Sequence, residues 1–284
     1  MSERTKKQHY VWEYYLSAWA SDGQIWARRG GKNFRTSTEN VAQERYFYEI
    51  PKLSPSEVKL LKSMVTIGPL INQVVNQSSL ATYLAIAQSE KDTSKFGMEW
   101  HHTMIEQQAL PILKELRNGN AAILEDHKSK IHLCIYLGHQ YTRTKKIRNA
   151  FPTNPNLNIP EEYKDCDLQK IHAASIFIFA GGIGSYLCDY LDLRLIYNKS
   201  GKNLITSDQP IYNLLAVSGE ISKDSSIYFP ISPELALWAK KSPNDEYIDD
   251  KSKVEYLNSF MAKHSHEFIF ATSEEELNAA AHAK

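Results

Sequence analysis

Four residues of this sequence carry the chemistry of an active site: His9, Glu106, Arg143 and Asp208. A carboxylate binds a divalent metal or moves a proton. An imidazole titrates near neutrality, and a guanidinium offers a planar fork of donors to phosphate or carboxylate. Asp208 lies in LITSDQPIYNL, residues 204–214, where an apolar run meets a polar turn. Two readings of it stay open. Ser and Asp ahead of Pro210 favour a turn, because their side chains bond nearby backbone amides. An acid at the C-terminal end of a strand is also placed to bind a metal, take a proton or hold a cation.

Arg143 follows Tyr141 on an apolar segment, with Gln140 and His139 three and four residues before it. On a helix the three share a face. Arg143 is either half of a buried ion pair, with Asp208 or Glu106 as partner, or an anion-binding group. His102 stands four residues before Glu106, a spacing that metal sites use, but two ligands do not make a site and His101 blurs the pattern. His9, in an aromatic cluster, is either a proton carrier or a packed anchor for the first helix.

These residues need a body to position them. The chain has 284 residues, 42% apolar and 23% charged, with a net charge of zero. That composition suits a globular protein with a substantial core and gives no overall drive toward nucleic acid or an acidic membrane. Nucleic-acid binding would need a local basic patch, and TRTKKIRN, 142–149, is the candidate. The three cysteines form no CxxC pair, and the polar start MSERTKKQHY lacks the apolar core of a signal peptide. The expectation is a cytoplasmic protein with reduced thiols and no membrane span.

The texture predicts an α+β fold: a mainly helical body with a small antiparallel β-sheet built from C-terminal strands and an early hairpin. A single domain, 1–284, divides into an N-terminal helix and hairpin (1–50), a helical body (51–191) and a β-rich part (192–284). Spacing predicts a short helix over 9–20 and a hairpin turning at Gly30-Gly31. Thr38 is a candidate cap for the amide of Val41. Ser54 is the N-cap of a helix with Pro55 at its first position. Further helices are expected over 68–88, 97–118, 123–149 and 168–191. Residues 150–167, with three prolines, read as an exposed loop. Short β-type runs follow residue 192, with a helix over 251–265 and a fraying helical tail. AGGIGS, 180–185, lacks the frame of a phosphate loop, so its glycines are assigned to close helix packing.

Several segments together resemble one bacterial family, domain of unknown function 4238. HYVWEYYLSAWA follows its opening signature, with Trp12 and Glu13 where that signature has Pro and Gln. EQQALPILKELRNG resembles its acid-led helix, with Glu106 as the acid. LGHQYTRTKKIRN resembles its Gln-x-x-Arg-Thr helix through Gln140, Arg143 and Thr144. LITSDQPIYNL matches a Ser-Asp-x-Pro motif, and VEYLNSFMAKHSHEFIFAT resembles the closing helix and strand, with Asn258. The resemblance spans nearly the whole chain and implies no established activity.

The leading expectation is a bacterial hydrolase acting on a phosphodiester, nuclease-like, with a place in a defence or toxin system. Asp208 and Glu106 then bind a divalent metal such as Mg2+ or move a proton. Arg143 neutralises phosphate charge, and His9 or His139 is an acid/base partner. His139, Gln140, Thr144 and Ser207 bind substrate. The alternative is a non-catalytic binding or scaffold module in which Arg143 and Asp208 form a structural ion pair.

Overall fold

The computed structural model describes residues 6–89, 91–150, 160–217, 225–241 and 246–282. The described residues begin with a strand rather than a helix. β1 (Lys7–His9) pairs antiparallel with β5 (Gln43–Arg45), and the amides of Tyr10 and Val11 donate to the carbonyl of Ala42. The helix expected over 9–20 shrinks to α1 (Glu13–Leu16) and a 3-10 turn, Ser17–Trp19. Strand pairing takes the backbone donors of the first residues and leaves too short a stretch for a longer helix. The aromatic side chains are core all the same, with Tyr10, Tyr15 and Trp19 buried.

β2 (Ala20–Ser21) leads into the hairpin of β3 (Gln24–Arg29) and β4 (Lys32–Ser37). Gly30 and Gly31 turn it with φ of 55° and 81°, the two positive values that a two-residue hairpin of this twist requires. Thr38 does not cap Val41 with its side chain. Its hydroxyl donates to Glu13 Oε1 at 3.0 Å, and Ser37 caps the 3-10 turn Thr38–Asn40 instead.

α2 (Pro55–Met64) starts as expected at Ser54, and Glu57 closes a capping box by accepting the Ser54 amide at 2.6 Å. α3 (Leu70–Ala87) and α4 (Lys91–Arg117) follow. The span 123–149 is not one helix. It divides into a 3-10 turn (Ala121–Glu125), α5 (His127–Thr142) and α6 (Lys145–Asn149). Arg143 closes α5, and Thr144, extended at ψ 157°, caps α6 through the amide of Ile147. Of the Pro-rich stretch, 151–159 lies outside the described residues; a 3-10 turn, Glu161–Tyr163, follows with Tyr163 buried.

α7 (Leu168–Ile178) and α8 (Ala180–Tyr190) meet at Phe179. Together they make the 23-residue stretch Leu168–Tyr190, long and apolar enough by length and composition to cross a membrane, with 39% of its tested window buried. The core helices of globular proteins meet that criterion too. The glycines of α8 set a close crossing with α5. A Cβ on Gly138 would lie 2.2 Å from the Ala180 carbonyl oxygen, and one on Gly184 would lie 2.7 Å from that of Cys134.

The strands form two larger sheets rather than one. In the first, β6 (Asp192–Asn198), β10 (Leu235–Lys240), β9 (Ser226–Ser232) and β8 (Tyr212–Asn213) are antiparallel in that order, with β11 (Tyr247–Ile248) parallel to β6. In the second, β12 (Phe268–Ala271) runs antiparallel between β3 of the early hairpin and β7 (Thr206–Ser207). The fold is α+β, as the texture predicts, with the hairpin and the last strand of the chain side by side.

α9 (Leu214–Val217) leaves the first sheet, and α10 (Lys251–His264) packs beside β7. The described part of the tail is helical: it forms α11 (Glu274–His282), with Leu277 and Ala280 buried and Glu276 accepting the Thr272 amide at 3.0 Å. Side-chain donors that reach distant carbonyls fasten the layers. Arg117 reaches the carbonyls of Tyr14, Tyr15 and Ile231, and Trp19 Nε1 donates to that of Leu204 at 2.7 Å. Asn258 holds the backbone of Asn203 and Ile205, on the approach to Asp208.

Candidate functional site

Arg143 is the centre of the site because the end of α5 leaves it there. Its backbone amide still bonds to the His139 carbonyl at 3.0 Å, and the chain turns away at Thr144. The side chain is 3% exposed, its partner Glu106 on α4 15%. Arg143 Nη2 donates to Glu106 Oε1 at 2.6 Å and to Gln140 Oε1 at 2.6 Å, while Nε donates to the same Gln140 oxygen at 3.2 Å. Nη1 donates to no protein atom among the described residues. Gln140 is the hinge of the cluster: its Nε2 donates to the Tyr10 carbonyl at 3.0 Å, which ties α5 to the opening segment.

Burial works against both charges of the pair. It raises the Glu106 carboxyl, and Arg143 only partly holds it down. It also opposes the guanidinium charge, which Glu106, Tyr48 and Tyr136 restore to above its ordinary range. Glu99, half-buried on α4, is pushed up to about 7, mainly by burial. Glu99, His102 and Glu106 follow each other at three and four residues, so one face of α4 aims them together.

Beside Arg143 lies a small cavity of about 70 Å3, open on one side. Arg143, Arg148, His102 and His139 give it polar groups; Tyr48, Met98, Ile176 and Phe177 are among its apolar and aromatic walls. The rings of His101, His102 and His139 lie 5.5–6.2 Å apart, centroid to centroid, with Phe177 packed against all three. Burial holds these imidazoles neutral, His139 down to about 3, with the Arg143 charge adding to the effect at His102 and His139. Nδ1 of His102 and Nδ1 of His139 are buried without a hydrogen-bond partner. Phe47, Glu49, Ile50, Arg148 and Ala173 line both this cavity and a larger solvent-open groove, so the two adjoin.

The expected site residues separate into two groups. Glu106, Arg143, Gln140 and His139 come together. His9 stands at the edge: it feels the Arg143 charge and its carbonyl accepts from Tyr48, but it does not line the cavity. Its Nε2 is buried without a partner, and burial lowers its pKa. Asp208, Ser207 and Thr144 lie in a separate network. Asp208, fully buried, accepts the amides of His266 at 2.9 Å and Glu267 at 2.6 Å, one on each carboxylate oxygen. Ser207 bonds the amide and carbonyl of Gln209, and Thr144 donates to the Gln209 side chain. Here they fasten the SDQP turn to the β12 strand and the start of α6.

The Arg143–Asp208 ion pair is therefore corrected. Arg143 meets Glu106, and Asp208 is satisfied by backbone amides before any side-chain cation reaches it. As metal candidates, Glu106 is taken by Arg143 and Asp208 by those amides, in different networks. No group of three or more His, Cys, Asp or Glu among the described residues is placed to hold a metal ion. The basic run 142–149 is largely matched as well. Lys145 pairs with Glu44 and Glu267, Arg148 with Glu44, and Lys146 donates to the His264 carbonyl.

Sequence reasoning missed the cavity walls and, beside them, Glu99. The spacing of Glu99, His102 and Glu106 was a readable signal; Tyr48 and Phe177 come from distant segments and left none. No curated protein and no solved structure matches the chain. A family model does, over residues 7–275, and it covers every motif that meets in this cluster. Tyr10, Glu106, Gln140 and Arg143, widely separated in sequence, are joined by the hydrogen bonds described above. The chain belongs to the family described as protein of unknown function, DUF4238.

Proposed function

We propose that the protein binds a small molecule with an apolar body and one polar or anionic head in the cavity beside Arg143. The observation that carries this reading is the convergence on one cavity of Arg143, whose Nη1 has no protein acceptor, and two imidazoles with unpartnered buried nitrogens. Buried polar groups without partners are rare, and a ligand supplies what they lack. The walls are mostly apolar, which suits a ligand that leaves water with most of its surface. Glu106 neutralises Arg143 in the free protein, so an anionic head binds with uptake of a proton by Glu106, whose carboxyl burial already raises. Calorimetric titration with phenyl phosphate and benzoate tests this. Binding should tighten as pH falls from 8 to 6 and weaken in R143K, which keeps the charge and loses the fork. Affinity independent of both would sink the reading.

Hydrolysis of a phosphodiester is the second reading, favoured by one observation. Glu99, at about 7, is poised between acid and base near Arg143 and the neutral imidazole of His102. In this form Glu99 replaces Asp208 as the second acid. Turnover of bis(p-nitrophenyl) phosphate by wild type, lost in E99Q and kept in D208N, would support it. No turnover by wild type leaves only the binding reading.

A further inference from the structure

A close, glycine-lined crossing of two helices brings two cysteines to the same place. α5 and α8 cross antiparallel where Gly138 meets Ala180 and Gly184, and Gly184 in turn meets the Cys134 backbone. Cys134 lies four residues before Gly138 on α5, and Cys188 four residues after Gly184 on α8. One turn from the glycine crossing, Cys134 and Cys188 are neighbours across the two helices, near enough for each thiol to feel the other. Cys134 is buried and Cys188 half-buried; Cys166, the third free cysteine, belongs to a different apolar cluster. The glycines remove the side-chain bulk that ordinarily keeps helices 8–10 Å apart, and so bring the backbones toward the short Cα separation a disulfide needs.

We propose that Cys134 and Cys188 are a reversible dithiol–disulfide site that covalently staples α5 to α8 when the protein meets a peroxide. In the first step the Cys188 thiolate attacks one peroxide oxygen. The O–O bond breaks, hydroxide leaves and takes up a proton to become water, and Cys188 becomes a sulfenic acid. In the second step the Cys134 sulfur attacks the Cys188 sulfur as its own proton passes to the departing hydroxyl. The S–O bond breaks, water leaves and the S–S bond forms. Two thiols lose two electrons in all, and one peroxide is reduced to two waters. Cys188 reacts first because it is the less buried of the two residues, while burial pushes the Cys134 thiol up and keeps it protonated. Thiol reductants reverse the step by exchange. Cys134 is nine residues, about two and a half turns, before Arg143 on the same helix, so the staple fixes the element that presents the guanidinium to the cavity.

The test treats the purified protein with stoichiometric hydrogen peroxide, alkylates the remaining thiols under denaturing conditions and maps the peptides by mass spectrometry. The expected product is an intramolecular Cys134–Cys188 cross-link with Cys166 alkylated, reversed by dithiothreitol, unchanged in C166A and absent in C188S. Three alkylated cysteines, Cys188 sulfinic or sulfonic acid beside a free Cys134, or a disulfide-linked dimer on a non-reducing gel would each overturn the proposal.

Discussion

Arg143 and Glu106 form a nearly dry ion pair, and its consequences appear when one partner is removed. A lone guanidinium in that position keeps Gln140 as its one hydrogen-bond acceptor among the described residues. R143A or E106A should each lower unfolding stability by about 3–5 kcal/mol, and the double variant should lose less than the sum of the two. Denaturant unfolding of the three variants measures this; strict additivity would show that the pair is not coupled. Asp208 belongs to the same scale but to different chemistry. D208A takes the acceptors from two part-buried amides and should cost about 1–3 kcal/mol, with no change in ligand affinity at the cavity. In the sequence both acids look alike as candidates. What separates them is whether backbone amides or a guanidinium arrives first, and no local pattern encodes that.

At the scale of elements, α5 holds both the strongest and the weakest expectations. Its helical character was legible from periodicity, and so was the shared face of His139, Gln140 and Arg143. Its end was not: the break at Thr144 depends on a cap and on a hydrogen bond to Gln209, 65 residues away. The opening segment shows the same limit, since 9–20 has helical spacing and yet yields its first residues to pairing with β5. The glycines of 180–185 were legible as packing residues, although their partner Gly138 was not. G138A forces a methyl into the Ala180 carbonyl and should lower stability by about 1–3 kcal/mol or more, shifting α5 and with it Arg143. G201A, in open space on the surface, is the control, although its positive φ adds a smaller strain of its own. Equal melting temperatures for the two variants would contradict the close crossing.

For the whole molecule, the α+β class and the family membership were readable because hydrophobic texture and motif order survive without coordinates. The meeting of α4, α5 and α7 around a cavity was not, because it is set by tertiary packing of segments such as Tyr48 and Phe177. That packing buries titratable groups, and stability follows pH accordingly. His139 has a folded value of about 3 against an unfolded 6.5. Between those values the unfolded chain binds more protons, so this group's contribution is full above pH 6.5 and is lost as pH falls. Glu99, raised to about 7, acts in the opposite sense over part of that range, which makes a variant comparison the sound test. H139L should flatten the acid limb of the stability curve by up to about 1.4 kcal/mol per pH unit between pH 6 and 4. An unchanged limb would mean that His139 is not buried neutral.

The cavity itself is the claim on which the rest depends, and Ala173 gives the most direct access to it. Ala173 lines the cavity on α7 and is not one of the hydrogen-bond partners of Arg143. Isothermal titration of wild type and A173F with phenyl phosphate and benzoate at pH 6 puts the question directly. The account predicts saturable one-to-one binding of at least one of these ligands by wild type. It predicts a loss of at least about tenfold, or 1.4 kcal/mol, in A173F, whose phenyl ring fills the space. No saturable binding by wild type, or the same affinity in a folded A173F, would contradict it.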